Sequence, residues 1–133
     1  MAKGEFIEQV GLIGVGNIGR HFTRLLIRKG YPLVVLDREP ERAQFAVDLG
    51  ARAASTPADV ARQAEIILLS LPGSHAVESV MEGENGVLSA LTAGQIVIDT
   101  GTSRPDTDIK YERVAREKGA GFLDAPITWR SPG

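Results

Sequence analysis

Short apolar runs of four or five residues alternate along this chain with longer stretches whose apolar positions recur every three to four residues. That alternation predicts β-strands joined by helical crossovers, as in an α/β parallel sheet. The first run, Gln9 to Ile13, leads directly into Gly14-Val15-Gly16-Asn17-Ile18-Gly19 and then a helix. On that helix Ile18, Phe22, Leu25 and Leu26 share one expected inward stripe, and Gly30 is placed as the left-handed cap. The second run, Leu33 to Leu36, stops at Asp37; a short helix follows, with Pro40 near its start and Gly50 after its end.

Further along, Arg52-Ala53-Ala54 is a weak third strand, and Thr56-Pro57-Ala58-Asp59 reads as a helix start with Val60, Ala61 and Ala64 facing inward. Ile66 to Leu69 is continuously apolar, as expected of a strand buried on both faces. Two short helices are predicted over Ser74 to Met81 and Gly86 to Leu91, then a strand over Ile96 to Asp99. Ser103 to Asp106 reads as a capping box opening a helix with Tyr111, Val114 and Ala115 inward, and Phe122 to Asp124 as a sixth strand. The expected fold is a three-layer, doubly wound α/β sheet of Rossmann type, with six strands in the order 3-2-1-4-5-6.

Length predicts a single domain over residues 1–133. A net charge of −2 gives no reason to expect a nucleic-acid or membrane-surface partner. The absence of cysteine removes disulfides, thiolate metal sites and thiol catalysis. With no apolar signal core at the N-terminus, the expected location is cytoplasmic.

The glycine turn is the main candidate for chemistry. A pyrophosphate at a helix N-terminus meets unpaired N–H groups and a partial charge of about +0.5 e. In such a turn Gly14 makes the tight bend, Gly16 lets the backbone reach the phosphates, and Gly19 brings the helix close to the strand. An isolated Gly-x-Gly-x-x-Gly is equally a glycine-rich turn with no ligand. Here it follows a strand, opens an amphipathic helix and is followed 18 positions after Gly19 by Asp37, at the end of the next strand. Asp37 is the candidate acceptor for the adenosine ribose hydroxyls, and its charge would repel a 2′-phosphate, favouring NAD over NADP. Arg38 beside it either pairs with a 2′-phosphate, stacks on adenine, or is a solvated loop charge.

These residues, with Lys29-Gly30-Tyr31, Leu69-Ser70-Leu71-Pro72, Gly83 to Leu88, Val97 to Pro105 and Phe122 to Ile127, resemble the β-hydroxyacid dehydrogenases in order and spacing over nearly the whole chain. That family includes 3-hydroxyisobutyrate dehydrogenase, tartronate semialdehyde reductase and 6-phosphogluconate dehydrogenase. The resemblance implies that Asn17 and Ile18 join the glycines at the cofactor, that Leu71 and Pro72 lie along it, and that Thr102 contacts its nicotinamide side. It also implies that Thr128, Trp129 and Arg130 help hold a substrate carboxylate. Two departures stand out. Gly101-Thr102 replaces a Ser-Thr pair, so Ser103 is the candidate replacement for a substrate-binding hydroxyl. Thr128-Trp129-Arg130 replaces Ser-Gly-Gly, where Arg130 is either a fork for an anionic group or an exposed charge.

The resemblance further implies a second, all-helical domain carrying most of the dimer contact and a lysine that protonates the substrate oxygen. Lys3, Lys29, Lys110 and Lys118 fall in the N-terminal tail or on crossover helices, away from the carboxyl ends of the strands. No catalytic residue is therefore assigned in these 133 residues. The expectation is a cofactor domain of an NAD(P)-dependent 3-hydroxyacid dehydrogenase, inactive alone, whose homo-oligomeric parent acts on a small hydroxy acid or semialdehyde. A free-standing nucleotide-sensing regulatory domain is the alternative. His21 is expected at the surface, and His75 either lines the cleft or starts a surface helix. Asp99 is expected to anchor a loop, and no His/Asp/Glu cluster has metal-ligand spacing.

Overall fold

The computed structural model describes residues 8–127. Six parallel strands, β1 (Val10–Ile13), β2 (Leu33–Leu36), β3 (Arg52–Ala53), β4 (Ile66–Leu69), β5 (Ile96–Asp99) and β6 (Gly121–Asp124), form one sheet in the order β3-β2-β1-β4-β5-β6. Between them run α1 (Asn17–Arg28), α2 (Pro40–Asp48), α3 (Pro57–Gln63), α4 (Ser74–Met81), α5 (Val87–Ala90) and α6 (Pro105–Glu117). Architecture and strand order are those the sequence pattern predicts. The order reverses between β1 and β4, and the crevice beyond their carboxyl ends is where open α/β sheets bind ligands.

Two apolar clusters hold the layers together. One joins Val34, Ile67, Leu69 and Val97 to Val60, Val77, Met81, Tyr111 and Phe122; the other joins Val10, Leu12, Val35 and Ala46 on the opposite face. Ile67 and Leu69 are buried while Ile66 and Leu68 are half-buried, so β4 is less uniformly covered than its sequence predicts. Thr56 caps α3 as expected, its Oγ1 accepting the Asp59 N–H at 3.1 Å, and Val60, Ala61 and Ala64 face the core. Gly30 takes the left-handed conformation (φ +86°) after α1. Among the described residues, no helix is long and apolar enough to cross a membrane.

Two local expectations are corrected. On α1 the deeply buried residues are Gly19 and Thr23, with Phe22, Leu26 and Ile27 half-buried beside them and Leu25 46% exposed. Gly19 sits against the Gly14 carbonyl and the Thr23 hydroxyl donates back to the Gly19 carbonyl, so small residues take the buried centre of this face and larger side chains flank it. The Ser103–Asp106 capping box does not form. Arg104 occupies the N-cap without a side-chain bond, because the Ser103 hydroxyl donates instead to Asp99 Oδ2 at 2.6 Å.

Among the described residues, Tyr111 is the largest fully buried side chain. Its ring packs on Phe122 with centroids 5.8 Å apart, and its hydroxyl donates to Glu82 Oε2 at 2.5 Å. Burial first, then the Glu82 carboxylate, pushes the phenol well above its ordinary pKa. The same hydrogen bond, aided by Lys110, holds Glu82 below the usual carboxylate range. Tyr111→Ala is expected to destabilise the domain by about 3–5 kcal/mol in urea unfolding, the cost of emptying an aromatic site in a packed core.

Candidate dinucleotide-binding site

The glycine turn is built from main-chain exclusions. Gly14 has φ +100°, and a Cβ there would overlap the Ser70 carbonyl at the end of β4. At Gly19 a Cβ would overlap the Gly14 carbonyl, so this glycine seats the helix on the turn itself more than on the strand. Gly16 differs from both. Its φ is −82°, and a Cβ placed there meets nothing within 4 Å. The fold does not need a glycine at position 16, whereas a phosphate approaching the helix start does.

No side chain caps the N-terminus of α1, and no acidic residue lies in its first turn. The partial positive charge of the helix end is left for an incoming anion. Val15 N–H donates to Asp37 Oδ2 at 2.7 Å and Glu39 N–H donates to Oδ1 at 2.8 Å. The acidic residue that the sequence places 18 positions away is thus tied to the glycine turn. Each carboxylate oxygen keeps a second lone-pair direction for a ribose hydroxyl.

Three loops converge at the carboxyl ends of β1, β4 and β5. A Cβ on Gly101 would stand 2.5 Å from the Leu71 carbonyl, so the loop after β5 closes on the loop after β4 more tightly than a serine at 101 allows. Arg104 N–H donates to Ser74 Oγ at 2.7 Å across the same seam. Thr100 Oγ1 donates to the Leu69 carbonyl at 2.7 Å. Asp99 anchors this loop as expected, accepting from Gly101 N–H at 3.1 Å and from Ser103 Oγ.

The sequence-derived candidates distribute as follows. Asn17, Arg38, Pro72 and Thr102 are exposed, while Ile18, Asp37, Leu71 and Ser103 are half-buried. Gly14 to Gly19, Leu71-Pro72 and Thr102 all belong to the converging loops or to the start of α1. The Ser103 proton is committed to Asp99, leaving only its oxygen lone pairs for a ligand. His75 lies exposed in the first turn of α4, and His21 is exposed on α1. Lys110 pairs with Glu82 at 2.9 Å. Thr128, Trp129 and Arg130 lie outside the described residues.

One feature escapes the sequence spacing. Asp99, Asp108 and Asp124 bring carboxylate oxygens within 4.8 Å of one another. Unit charges at that separation repel by about 3 kcal/mol at an effective dielectric near 20. Burial, followed by the closeness and negative charge of Asp99 and then Asp124, pushes the Asp108 carboxyl up to about 7. The signal was present in the pattern: Asp99 and Asp124 close adjacent strands in register, and Asp108 sits in the helix between them.

A parallel sheet reversing at β1/β4, with a bare helix N-terminus and an acidic residue bound to the turn, defines a Rossmann dinucleotide-binding domain. The sequence profile described as the NAD binding domain of 6-phosphogluconate dehydrogenase matches residues 9–129, and the chain belongs to that family. It is 37% identical over 119 residues to mitochondrial 3-hydroxyisobutyrate dehydrogenase of Rattus norvegicus, covering 90% of this chain and 36% of the relative. It is 34% identical over 125 residues to 2-(hydroxymethyl)glutarate dehydrogenase of Eubacterium barkeri, covering 94% of this chain and 42% of the relative. A solved structure described as Psf3 in complex with NADP+ and 2-OPP superposes with a TM-score of 0.85 at 29% identity, over 90% of this chain and 43% of that one. The chain thus spans about two-fifths of the length of these relatives.

The geometry divides the glycines into two classes that unfolding measurements can separate. Gly14→Ala and Gly19→Ala are expected to lose more than about 2 kcal/mol in urea unfolding, since a side chain must displace backbone in each case. Gly16→Ala is expected to stay within about 1 kcal/mol of the parent, because its conformation is ordinary and the space is open.

Proposed function

We propose that this domain holds NAD(H) in preference to NADP(H), and serves an oxidoreductase moving a hydride between the nicotinamide and a small 3-hydroxy acid or its semialdehyde. The observation that carries the cofactor reading is the hydrogen bond from the Val15 N–H to Asp37, which fixes a carboxylate beside the pyrophosphate turn. Hydrogen bonds to a charged acceptor contribute roughly 1.5–3 kcal/mol each. The same carboxylate opposes a 2′-phosphate by about 4 kcal/mol per unit charge at 4 Å and an effective dielectric near 20. Exposed Arg38 offsets part of that repulsion. The Psf3 complex contains NADP+, so a related fold also accepts the phosphorylated cofactor.

In this reading Gly14, Gly16, Asn17, Ile18 and Gly19 receive the pyrophosphate, Asp37 and Arg38 flank the adenosine ribose, and Leu71, Pro72 and Thr102 line the path toward the nicotinamide. Ser103, Thr128, Trp129 and Arg130 are assigned to the substrate side. Reduction of a carbonyl by hydride leaves an alkoxide, and an acid must stand within hydrogen-bond reach of it. Among the described residues no lysine occupies the carboxyl ends of the strands. The proton donor is accordingly assigned to a second, helical domain of the working enzyme, which would also carry its oligomer contacts. The relatives' activities, with their much longer chains, support this assignment.

Calorimetric titration of the 133-residue chain is expected to show NAD binding at least tenfold more tightly than NADP, with Asp37→Ser narrowing the gap. Equal or tighter NADP binding by the unaltered chain overturns the preference. Hydride transfer from 3-hydroxyisobutyrate to NAD by these 133 residues alone is expected to be undetectable by absorbance at the reduced-nicotinamide band. Sustained production of NADH would place the donor within this chain.

A further inference from the structure

The aspartate cluster at the β5–β6 edge stands apart from the glycine turn and has an unmet requirement of its own. Asp99 is fully buried and Asp108 is 7% exposed, while Asp124 opens to solvent. Both carboxylate oxygens of Asp108 are shielded from water and have no hydrogen-bond partner, although one of them lies within 4.8 Å of an oxygen from each of the other two aspartates. Buried polar atoms are nearly always paired, and a buried carboxylate left unpaired is costly. Among the described residues, no lysine or arginine forms an ion pair with any of the three; the acidic partners in ion pairs are Asp59, Asp106, Glu82 and Glu112.

We propose that Asp99, Asp108 and Asp124 form a binding site for a hard divalent cation such as Ca2+ or Mg2+. The donor set is all oxygen, without histidine or cysteine, which selects such ions over zinc or copper. Asp99 is pre-oriented by the Gly101 N–H and the Ser103 hydroxyl, one on each oxygen. Asp124 is fixed beside it by the β5–β6 register, in which the two aspartates are partners. Asp108 reaches them from the first turns of α6 with both oxygens uncommitted. A cavity of about 320 Å3 lined by Pro105, Asp108, Ile109, Glu112, Phe122 and Asp124 adjoins the cluster. It gives the ion an entry path and room for the waters that complete a coordination shell of six to eight oxygens, as about that number is usual for Ca2+.

The role is positional. Ala125 N–H donates to the Asp99 carbonyl and Ile127 N–H to the Thr100 carbonyl, so the segment leaving β6 runs beside the loop that Asp99 anchors. An ion shared by β5, α6 and β6 would lock these elements together at the carboxyl edge of the sheet. This inference rests on the cluster alone and stands whichever cofactor the glycine turn prefers.

The test is calorimetric titration of the chelator-treated 133-residue chain at pH 8 with Ca2+, Mg2+ and Mn2+ separately, paired with thermal melts. One saturable site is expected, with a dissociation constant on the order of 10⁻⁴–10⁻³ M, as in weak carboxylate sites. A free-ion concentration ten times that constant should raise Tm by about 4 °C. Asp108→Asn keeps the shape and supplies amide donors to Asp99 and Asp124, so it should fold while binding at least tenfold more weakly. Asp106→Asn, an exposed acid on the same helix, should bind as the unaltered chain does. Absence of saturable binding up to 10 mM (~10 times the weakest expected constant) overturns the proposal, because a shared proton then satisfies the cluster. Equal weakening by Asp106→Asn also overturns it, as diffuse surface binding.

Discussion

Gly14 passes so close to the Ser70 carbonyl that no side chain fits between them, and the Gly14 carbonyl in turn excludes any side chain at Gly19. The approach of β1 to β4 and the seat of α1 are therefore set by one stack of main-chain atoms. Such contacts are short-range and steep, so they fix position without consuming hydrogen-bonding groups. The α1 N-terminus consequently needs no side-chain cap, and none is present. Its N–H groups and its share of the helix dipole remain directed at the crevice. A serine or aspartate cap would have stabilised the helix locally and occupied the ground a phosphate requires.

The same economy governs Asp37. Its carboxylate could have been a solvated charge at a strand end, but it accepts N–H groups from Val15 and Glu39. The Val15 bond ties the end of β2 to the turn after its neighbour β1, while the Glu39 bond fixes the carboxylate within its own loop. They also set the carboxylate's direction before any ligand arrives, which lowers the ordering cost of binding. Fold stability and the proposed ribose contact thus draw on the same carboxylate. Gly16 is the exception, since nothing in the folded chain fills the space beside it.

The strands, their order and the Thr56 cap were legible because each depends on residues close in sequence or on a periodic pattern. Thr56 and Ser103 look alike locally, each followed three residues later by aspartate. Thr56 caps its helix, whereas Ser103 is captured by Asp99, a strand-end carboxylate that local pattern does not weigh. The inward stripe of α1 was misplaced for a related reason. Periodicity ranks large apolar residues, but the buried centre of this helix face is taken by small ones, Gly19 against the glycine turn and Thr23 one turn on. Among site residues, the glycines and Asp37 carried a fixed spacing; the Gly101–Leu71 seam carried none, as it exists only when two loops meet.

Asp99 shows how far one residue can join the two halves of this edge. Its side chain orients Gly101 and Ser103, which flank Thr102 in the loop facing the nicotinamide end of the proposed cofactor path. Its carbonyl receives Ala125, at the start of the segment leading toward Thr128. Its carboxylate is also one corner of the aspartate cluster. Crowding of negative charge at that corner is relieved by a proton or by a cation, and the two leave different geometries. A proton pulls one pair of oxygens together. A cation draws all three toward a common centre and admits water. Because Asp99 is fully buried and hydrogen-bonded on both oxygens, it cannot move without moving the loop. The occupant of the cluster therefore bears on the placement of Thr102 and of Ala125 to Ile127, which hydrogen-bond to the Asp99–Thr100 segment.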